Sequence, residues 1–248
     1  MATYYVDLDT LSNPGFVAGS QSQPMGSNEF YANITGVHTF YIKGTRQYNV
    51  GASRLDLVGA FLPWNLATYG PWRLRFTGFT GIGLLLYGTF KYGIISCDNS
   101  GSYGGMVSGI SNSSAYCYTY CCLLQSDGNI VISNFASFER GGTTWRSYGC
   151  TYVAANLFYM HGTGVWTYLT DCVVSAAGFK HATNTSAGLF SINNTVFNGS
   201  QANVSLITSG TKTFNNCQFN WTPPVWPVWT APKENFHKQI LGVGISTP

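Results

Sequence analysis

Short runs of apolar residues, or of apolar residues alternating with polar ones, follow one another along most of the chain. Typical runs occupy residues 39–42, 129–132 and 203–207, and Gly, Ser or Asn separates each run from the next. Apolar residues do not recur at the 3.6-residue spacing of an amphipathic helix. Short alternating runs with such boundaries are typical of β-strands. The pattern therefore predicts an all-β protein with many short strands.

Four segments in the second half of the chain align with one another and indicate an internal repeat. Each begins with a large apolar residue and has Asn or Asp two positions later. The aligned polar residues are Asn134, Asp171, Asn194 and Asn216. The last two intervals are 23 and 22 residues, from Asp171 to Asn194 and from Asn194 to Asn216. We interpret the longer first interval as one period with about a dozen inserted residues.

A period of this length fits one coil of a right-handed, single-stranded parallel β-helix, with three short strands and three turns in each coil. Strands of successive coils lie about 4.8 Å apart, so equivalent positions stack and one Asn can bond the next. We expect roughly eight coils and a length of about 40 Å. The residues after the aligned Asn or Asp are expected to form an inward column: Phe135, Cys172, Thr195 and Cys217. A β-sandwich or an up-and-down barrel is the alternative, because a chain rich in Asn and Gly gives chance alignments.

Charged residues are scarce. Lys and Arg total 12, Asp and Glu total 9, and together they make up 8% of the chain, with a net charge of +3. The sequence has no basic run and no long apolar stretch, so we expect neither a nucleic-acid partner nor a membrane span. No secretory leader is visible, so we expect the seven Cys to be reduced. The low charge indicates either a compact, glycine-rich β protein or a subunit whose surface is buried against other subunits.

Few residues are candidates for catalysis. Asp127 and Asp171 are separated by about two periods, but Asp171 already belongs to the Asn column. His161 and His181 are spaced as neighbours on one face, and a His pair with no nearby carboxylate is expected to be structural. We therefore predict no catalytic residue, no metal site, no cofactor and no enzymatic activity.

Three alternating tyrosines share one face of a predicted strand. They are Tyr116, Tyr118 and Tyr120. These rings either pack in the core, or lie outside and stack on sugar rings or on another protein.

The first 30 residues resemble the start of a known family. Tyr-Tyr-Val-Asp at residues 4–7 is followed by a loop rich in Gly, Ser and Asn at residues 12–28, which contains a Gln-Pro pair, and then by Glu29 and Phe30. This order is similar to that of bacterial and phage right-handed β-helix proteins. The family includes pectate lyases, phage tailspikes and virion decoration proteins.

The resemblance implies a cap strand and loop at residues 1–30, followed by the coils of the parallel β-helix at residues 31–220. An open coil end is an unpaired sheet edge, which such a cap protects. The acidic loop that is usual in the family is replaced by Thr-Leu-Ser-Asn-Pro-Gly-Phe at residues 10–16. The resemblance therefore does not imply a calcium-binding or capping role for this loop.

Residues 221–248 are predicted to form an extended C-terminal tail. Residues 221–232 contain four Pro and three Trp, and Pro cannot donate a hydrogen bond to a sheet. The tail either caps the last coil or docks on a neighbouring subunit. In the second case the interface candidates are Trp221, Trp226, Pro227 and Trp229.

The family resemblance and the low charge together predict a structural protein of a bacteriophage virion, made in the host cytoplasm. It would be a capsid decoration or cement protein, or a short head or tail fibre, that stabilises the particle through subunit contacts. The resemblance implies a homotrimer that contacts the major capsid or tail protein. The alternatives are a tailspike-like carbohydrate-active enzyme and a non-catalytic glycan-binding module, for which the partner is a glycan.

Overall fold

The computed structural model describes residues 1–81, 83–98, 105–108, 116–133, 144–161, 166–182, 189–199, 204–206 and 211–220. Most of these residues are in β-strands, and the strand pairs that they form are all parallel. The predicted all-β class is therefore confirmed. The sandwich alternative is wrong, because the sheets of a sandwich are antiparallel.

Pairing joins the strands into three ladders. The first ladder contains β1 (Thr3–Asp7), β2 (His38–Lys43), the second parts of β4 (Arg54–Pro63) and β6 (Gly83–Lys91), β9 (Tyr116–Tyr120), β12 (Thr144–Tyr148), β14 (Trp166–Thr170), β16 (Leu189–Asn193) and β19 (Thr211–Asn215). The second ladder contains β3 (Thr45–Asn49), β5 (Trp72–Thr77), β7 (Gly93–Cys97), β10 (Leu123–Ser126), the first parts of β13 (Thr151–His161) and β15 (Val173–Ala182), β17 (Val196–Asn198) and β20 (Gln218–Phe219). The third ladder contains the first parts of β4 and β6, β8 (Gly105–Ser108), β11 (Asn129–Ser133), the second parts of β13 and β15, and β18 (Val204–Leu206).

The chain visits the first, second and third ladders in that order and then returns to the first. For example, it leaves β14, passes through β15 in the other two ladders, and comes back beside β14 as β16. This order is compatible with a parallel β-helix. The circuits differ in length, since Thr119 and Ser147 are equivalent positions 28 residues apart, whereas Asn194 and Asn216 are 22 apart. Hydrogen-bond pairing constrains the register of the strands but not the turns between them, so circuits can differ in the number of turn residues.

The inward residues of the first ladder form one column. It begins with Phe40, Phe61 and Phe90, which are fully buried. The rings of Phe61 and Phe90 lie 4.9 Å apart with an angle of 15° between their planes. The column continues through Thr119, Ser147, Leu169, Ile192 and Phe214. In-register pairing sets equivalent side chains beside one another, so the ladder builds a continuous core.

The first residues pack against the N-terminal end of the first ladder. β1 pairs with β2, and the short helix α1 (Ser27–Asn33) places the buried ring of Phe30 5.1 Å from Phe40. A second short helix, α2 (Leu66–Tyr69), begins after Asn65, whose side chain accepts a hydrogen bond from the Thr68 N–H. Neither helix is long enough for helical periodicity to appear in the sequence.

The loop before α1 is fastened by Glu29. Its carboxylate accepts hydrogen bonds from the Ser12 hydroxyl and, at 3.1 Å, from the Asn13 N–H. Burial raises the pKa of Glu29, but these two hydrogen bonds, together with those from the Glu29 and Gly26 backbone, outweigh burial and leave the pKa below its usual value.

β4 and β6 each cross from the third ladder to the first at a glycine. Gly59 and Gly88 are paired and have φ values of 118° and 129°. A Cβ atom on Gly88 would lie 1.9 Å from the carbonyl oxygen of Gly59. Both the backbone angle and the close approach therefore require glycine at this position.

We predict that Gly88→Ala destabilises the protein more than Gly51→Ala. Gly51 also has a positive φ, 59°, but a Cβ atom there would meet no other atom within 4 Å. Gly51→Ala should cost about 1–2 kcal/mol through backbone strain. Gly88→Ala should cost about 1–3 kcal/mol more through steric overlap. Urea unfolding measures both losses, and equal losses would contradict the register of β4 and β6.

Candidate functional site

Tyrosines form a row on the outer face of the first ladder. In β9, Tyr116, Tyr118 and Tyr120 alternate with Cys117 and Thr119, which are buried. The tyrosines therefore point outward, and Tyr116 is 41% exposed. The interpretation that places them in the core is wrong.

Neighbouring strands extend this row. Tyr116 lies 5.4 Å from the Tyr87 ring, and Tyr120 stacks on Tyr148 at 5.3 Å with an interplanar angle of 10°. Adjacent parallel strands bring equivalent side chains this close, so the rings contact one another across the ladder. We call this surface the tyrosine strip; it comprises Tyr87, Lys91, Tyr116, Tyr118, Tyr120, Arg146, Tyr148 and Tyr168.

The two cations of the strip lie over its rings. The Lys91 Nζ is 5.0 Å from the Tyr120 ring centre. The Arg146 guanidinium carbon is 5.9 Å from the Tyr118 ring and 4.9 Å from the Tyr168 ring, because Arg146 lies between these residues in the ladder. No carboxylate in the described part of the chain forms an ion pair with either cation. Their N–H groups can therefore serve a ligand or a partner protein.

The strip combines flat rings with hydrogen-bond donors. Aromatic faces can stack on sugar rings or pack against apolar groups of a protein. Lys and Arg beside them can donate hydrogen bonds to hydroxyl, carbonyl or carboxylate oxygens. Tyr and Arg are also enriched at protein interfaces. The chemistry of the strip is thus that of a binding surface.

A second polar cluster is completely buried inside the fold. Thr119 and Ser147 share a hydrogen bond of 2.5 Å, and Ser147 also bonds the Tyr152 hydroxyl. The Trp145 Nε1 donates to Ser147 Oγ at 2.8 Å and to the Tyr152 hydroxyl at 2.9 Å. Burial raises the pKa of Tyr152 well above its usual value. These groups satisfy one another within the core, which is a structural role.

The predicted Asn column lies at a left-handed turn between the first and second ladders. Asp171, Asn194 and Asn216 have φ values of 55°, 48° and 51°. Asn194 Nδ2 donates to Asp171 Oδ1 at 3.0 Å, and Asn216 Nδ2 donates to Asn194 Oδ1 at 2.9 Å. Asn and Asp tolerate this conformation better than most residues. The structure thus brings these three predicted residues together.

The fourth predicted member, Asn134, lies outside the described residues. The register places Gly149 beside Asp171 instead, since the Gly149 N–H donates to the Thr170 carbonyl. Cys121 and Tyr92 continue the turn column with φ values of 50° and 52°. A search of the sequence for recurring Asn could not find these turn positions, because Gly, Cys and Tyr occupy them. The observed register, which sets Gly149 beside Asp171, replaces the sequence alignment that set Asn134 there.

The described carboxylates are all engaged in the fold. Asp127 pairs with Arg75 at 3.1 Å, Asp171 accepts from Asn194, and Asp98 accepts from the Gly78 N–H at 2.7 Å. Asp7 pairs with Lys43, and Asp56 pairs with Arg54. Asp9 accepts a hydrogen bond from the Thr45 N–H, and Glu29 accepts from Ser12 and Asn13. The two acids with catalytic spacing, Asp127 and Asp171, thus both have structural partners.

The interface candidates Trp221, Trp226, Pro227 and Trp229 lie outside the described residues. His181 pairs with Met160, and His161 pairs with Ala182, so the two histidines are offset by one position in the register.

Within the described ranges, no group of three or more His, Cys, Asp or Glu side chains is arranged to hold a metal ion. No helix in the same ranges is long and apolar enough to cross a membrane. No protein-family model, curated protein or solved structure matches the chain.

We predict that Tyr120 and Tyr148 stabilise one another. A double-mutant cycle with Tyr120→Ala and Tyr148→Ala should give a coupling energy of about 0.5–1.5 kcal/mol, because the rings stack. Tyr148→Ala with Val37→Ala is the control, since the exposed Val37 belongs to neither β9 nor β12. Denaturant unfolding measures both cycles. A coupling energy no larger than that of the control would contradict the stacked strip.

Proposed function

We propose that the protein is a structural subunit of a bacteriophage virion: a capsid decoration protein or a short head or tail fibre. Its coils would form a right-handed parallel β-helix of roughly eight turns. Support comes from the N-terminal resemblance and from the parallel pairing of the strands. The chain would act mechanically, by strengthening contacts between neighbouring subunits of the particle.

The tyrosine strip is the observation that carries this proposal. It places several aromatic rings on the outside of a sheet, in a chain with only 8% charged residues. A monomer in water usually covers such a surface with charged side chains. A neighbouring subunit would bury these rings, with a gain of about 25 cal/mol for each Å² of apolar surface. Lys91 and Arg146 would then bond acceptors of that partner.

The parallel ladders suit a mechanical role. Each interior strand bonds a strand on both sides, so pulling one coil out breaks two sets of hydrogen bonds. In this proposal the protein is a homotrimer on the particle and contacts the major capsid or tail protein. The tail with Trp221, Trp226, Pro227 and Trp229 would form a second contact with a neighbour.

We predict that the purified full-length chain has three times the 27.0 kDa mass of one subunit, and that mass spectrometry detects it in purified virions. Tyr148→Ser should weaken trimer association at least about tenfold, because it removes a ring from the buried face. Val37→Ser, which changes an exposed residue outside the strip, should leave association unchanged. Light scattering measures the mass. A monomeric wild-type chain that is absent from virions would overturn the proposal.

A non-catalytic glycan-binding module is the second candidate. It is favoured by the outward rings together with two cations that have no described acidic partner. We do not propose a glycan hydrolase, because the described carboxylates bind structural partners.

The glycan candidate has its own test. Calorimetric titration with polysaccharides from host cell surfaces should show binding that Tyr148→Ala weakens at least about tenfold, since stacking supplies the contact. The polysaccharide should keep its chain length during incubation. Equal binding by Tyr148→Ala and wild type would contradict this role of the strip.

A further inference from the structure

A row of aliphatic side chains lies on the outer face of the second ladder. Inward residues of this ladder, such as Ile95, Leu124 and Val174, are fully buried, so the residues that alternate with them point outward. In-register pairing sets five of these outward residues side by side on consecutive circuits of the chain. All five are half-buried. We call them the aliphatic row; it comprises Ile94, Leu123, Thr151, Val173 and Val196.

The aliphatic row has polar residues at both ends. The exposed Arg73 precedes Ile94 in the ladder, and Gln218 follows Val196. Four strand spacings separate the first and last members, so the row is about 19 Å long. Adjacent apolar side chains on the outside of a sheet, with a polar boundary, are typical of a surface that another protein covers.

The aliphatic row and the tyrosine strip lie on the two sides of one corner of the fold. Tyr120 ends β9 on the strip, and Leu123 begins β10 in the row, with only two residues between them. The left-handed turn at Cys121 makes this corner. The arrangement recurs on the next circuit, at Tyr148 and Thr151. The two surfaces therefore meet along one edge of the molecule, which is the turn column.

A closed trimer needs two different surfaces in this arrangement. In a ring with threefold symmetry the contact is heterologous, so each subunit covers one surface of its neighbour with a different surface of its own. Each subunit fills a wedge of the ring, and its two contact surfaces converge at the symmetry axis. The strip and the row of one chain converge at the turn column in the same way.

The two surfaces also match in chemistry and in spacing. Aromatic rings of the strip can pack on aliphatic side chains, and the N–H groups of Lys91 and Arg146 can donate to neutral oxygens. Gln125 and Ser175 offer such oxygens, because they point outward two positions beyond the row in β10 and β15. Both surfaces are built from the same parallel pairing and repeat every 4.8 Å or so in the same direction.

We propose that the tyrosine strip of one subunit packs on the aliphatic row of a second copy of this chain, with the turn column at the threefold axis. This inference rests on the proposed homotrimer, and it names the second surface that closes the ring. Copies that are related by a threefold axis stand at the same height along it. With the ladders parallel to this axis, Tyr148 would lie level with Thr151 of the partner subunit.

Mixing two variants tests the contact between unlike surfaces. Tyr148→Lys puts a charge in the strip, and Val173→Lys puts a charge in the row opposite the cations of the strip. Each variant alone should be monomeric, because every contact in its ring would contain one altered surface. Their equimolar mixture should form a heterodimer of twice the 27.0 kDa subunit mass, because one intact strip meets one intact row. Light scattering measures these masses.

Gln47→Lys is the matched control. Gln47 is exposed on the outer face of the same ladder but lies outside the row, so this variant should remain trimeric. Thermal melting followed by circular dichroism checks that each variant folds, and Thr151→Lys takes the place of Val173→Lys if that variant does not fold. With a trimeric wild type, a trimeric row variant or a monomeric mixture would overturn this inference alone. A monomeric wild-type chain would overturn the proposed trimer as well.

Discussion

In-register pairing of parallel strands is the constraint on which the rest of this structure depends. Once one circuit of the chain lies beside the next, each residue has a neighbour at the equivalent position about 4.8 Å away. Phe61 meets Phe90, Asn194 meets Asn216, and Tyr120 meets Tyr148. The core, the turn column and the tyrosine strip are therefore three consequences of the same backbone pairing.

The same constraint explains why polar and aromatic residues can replace charged ones. Side-chain amides in a ladder bond one another, as Asn215 bonds Asn193 at 2.8 Å. Tyrosines in a ladder share ring contacts, and Arg146 takes its place between two of them. The outer surface is thus ordered by neighbours within the sheet. It presents flat, donor-bearing faces that suit either another subunit or a glycan.

The sequence predicted the C-terminal half of the fold better than the N-terminal half. Asp171, Asn194 and Asn216 recur at 23 and 22 residues, because few residues are inserted there. The circuits from Phe61 to Phe90, Thr119 and Ser147 are longer. In two of them, Tyr92 and Cys121 occupy the turn position that Asn takes later in the chain. Nothing in the local pattern marks such residues as left-handed, since the ladder imposes the conformation on them.

The outward face of β9 was harder to predict for a related reason. Alternation in β9 separates the tyrosines from Cys117 and Thr119, but both sets are compatible with either face. Cys117 and Thr119 are buried because the flanking strands place them beside other inward residues, and this fact emerges only when those strands are in place. Which face is outward is thus decided by packing over several circuits and not by the strand itself.

The most direct test of this account measures the separation of β16 and β19. Cysteines replace Ser191 and Thr213, which pair in register, in a protein whose exposed Cys121 is changed to Asn, and each new cysteine carries a spin label. Electron paramagnetic resonance should show strong dipolar broadening, as expected for Cα atoms about 4.8 Å apart. A spectrum equal to the sum of the two singly labelled proteins would contradict in-register parallel pairing.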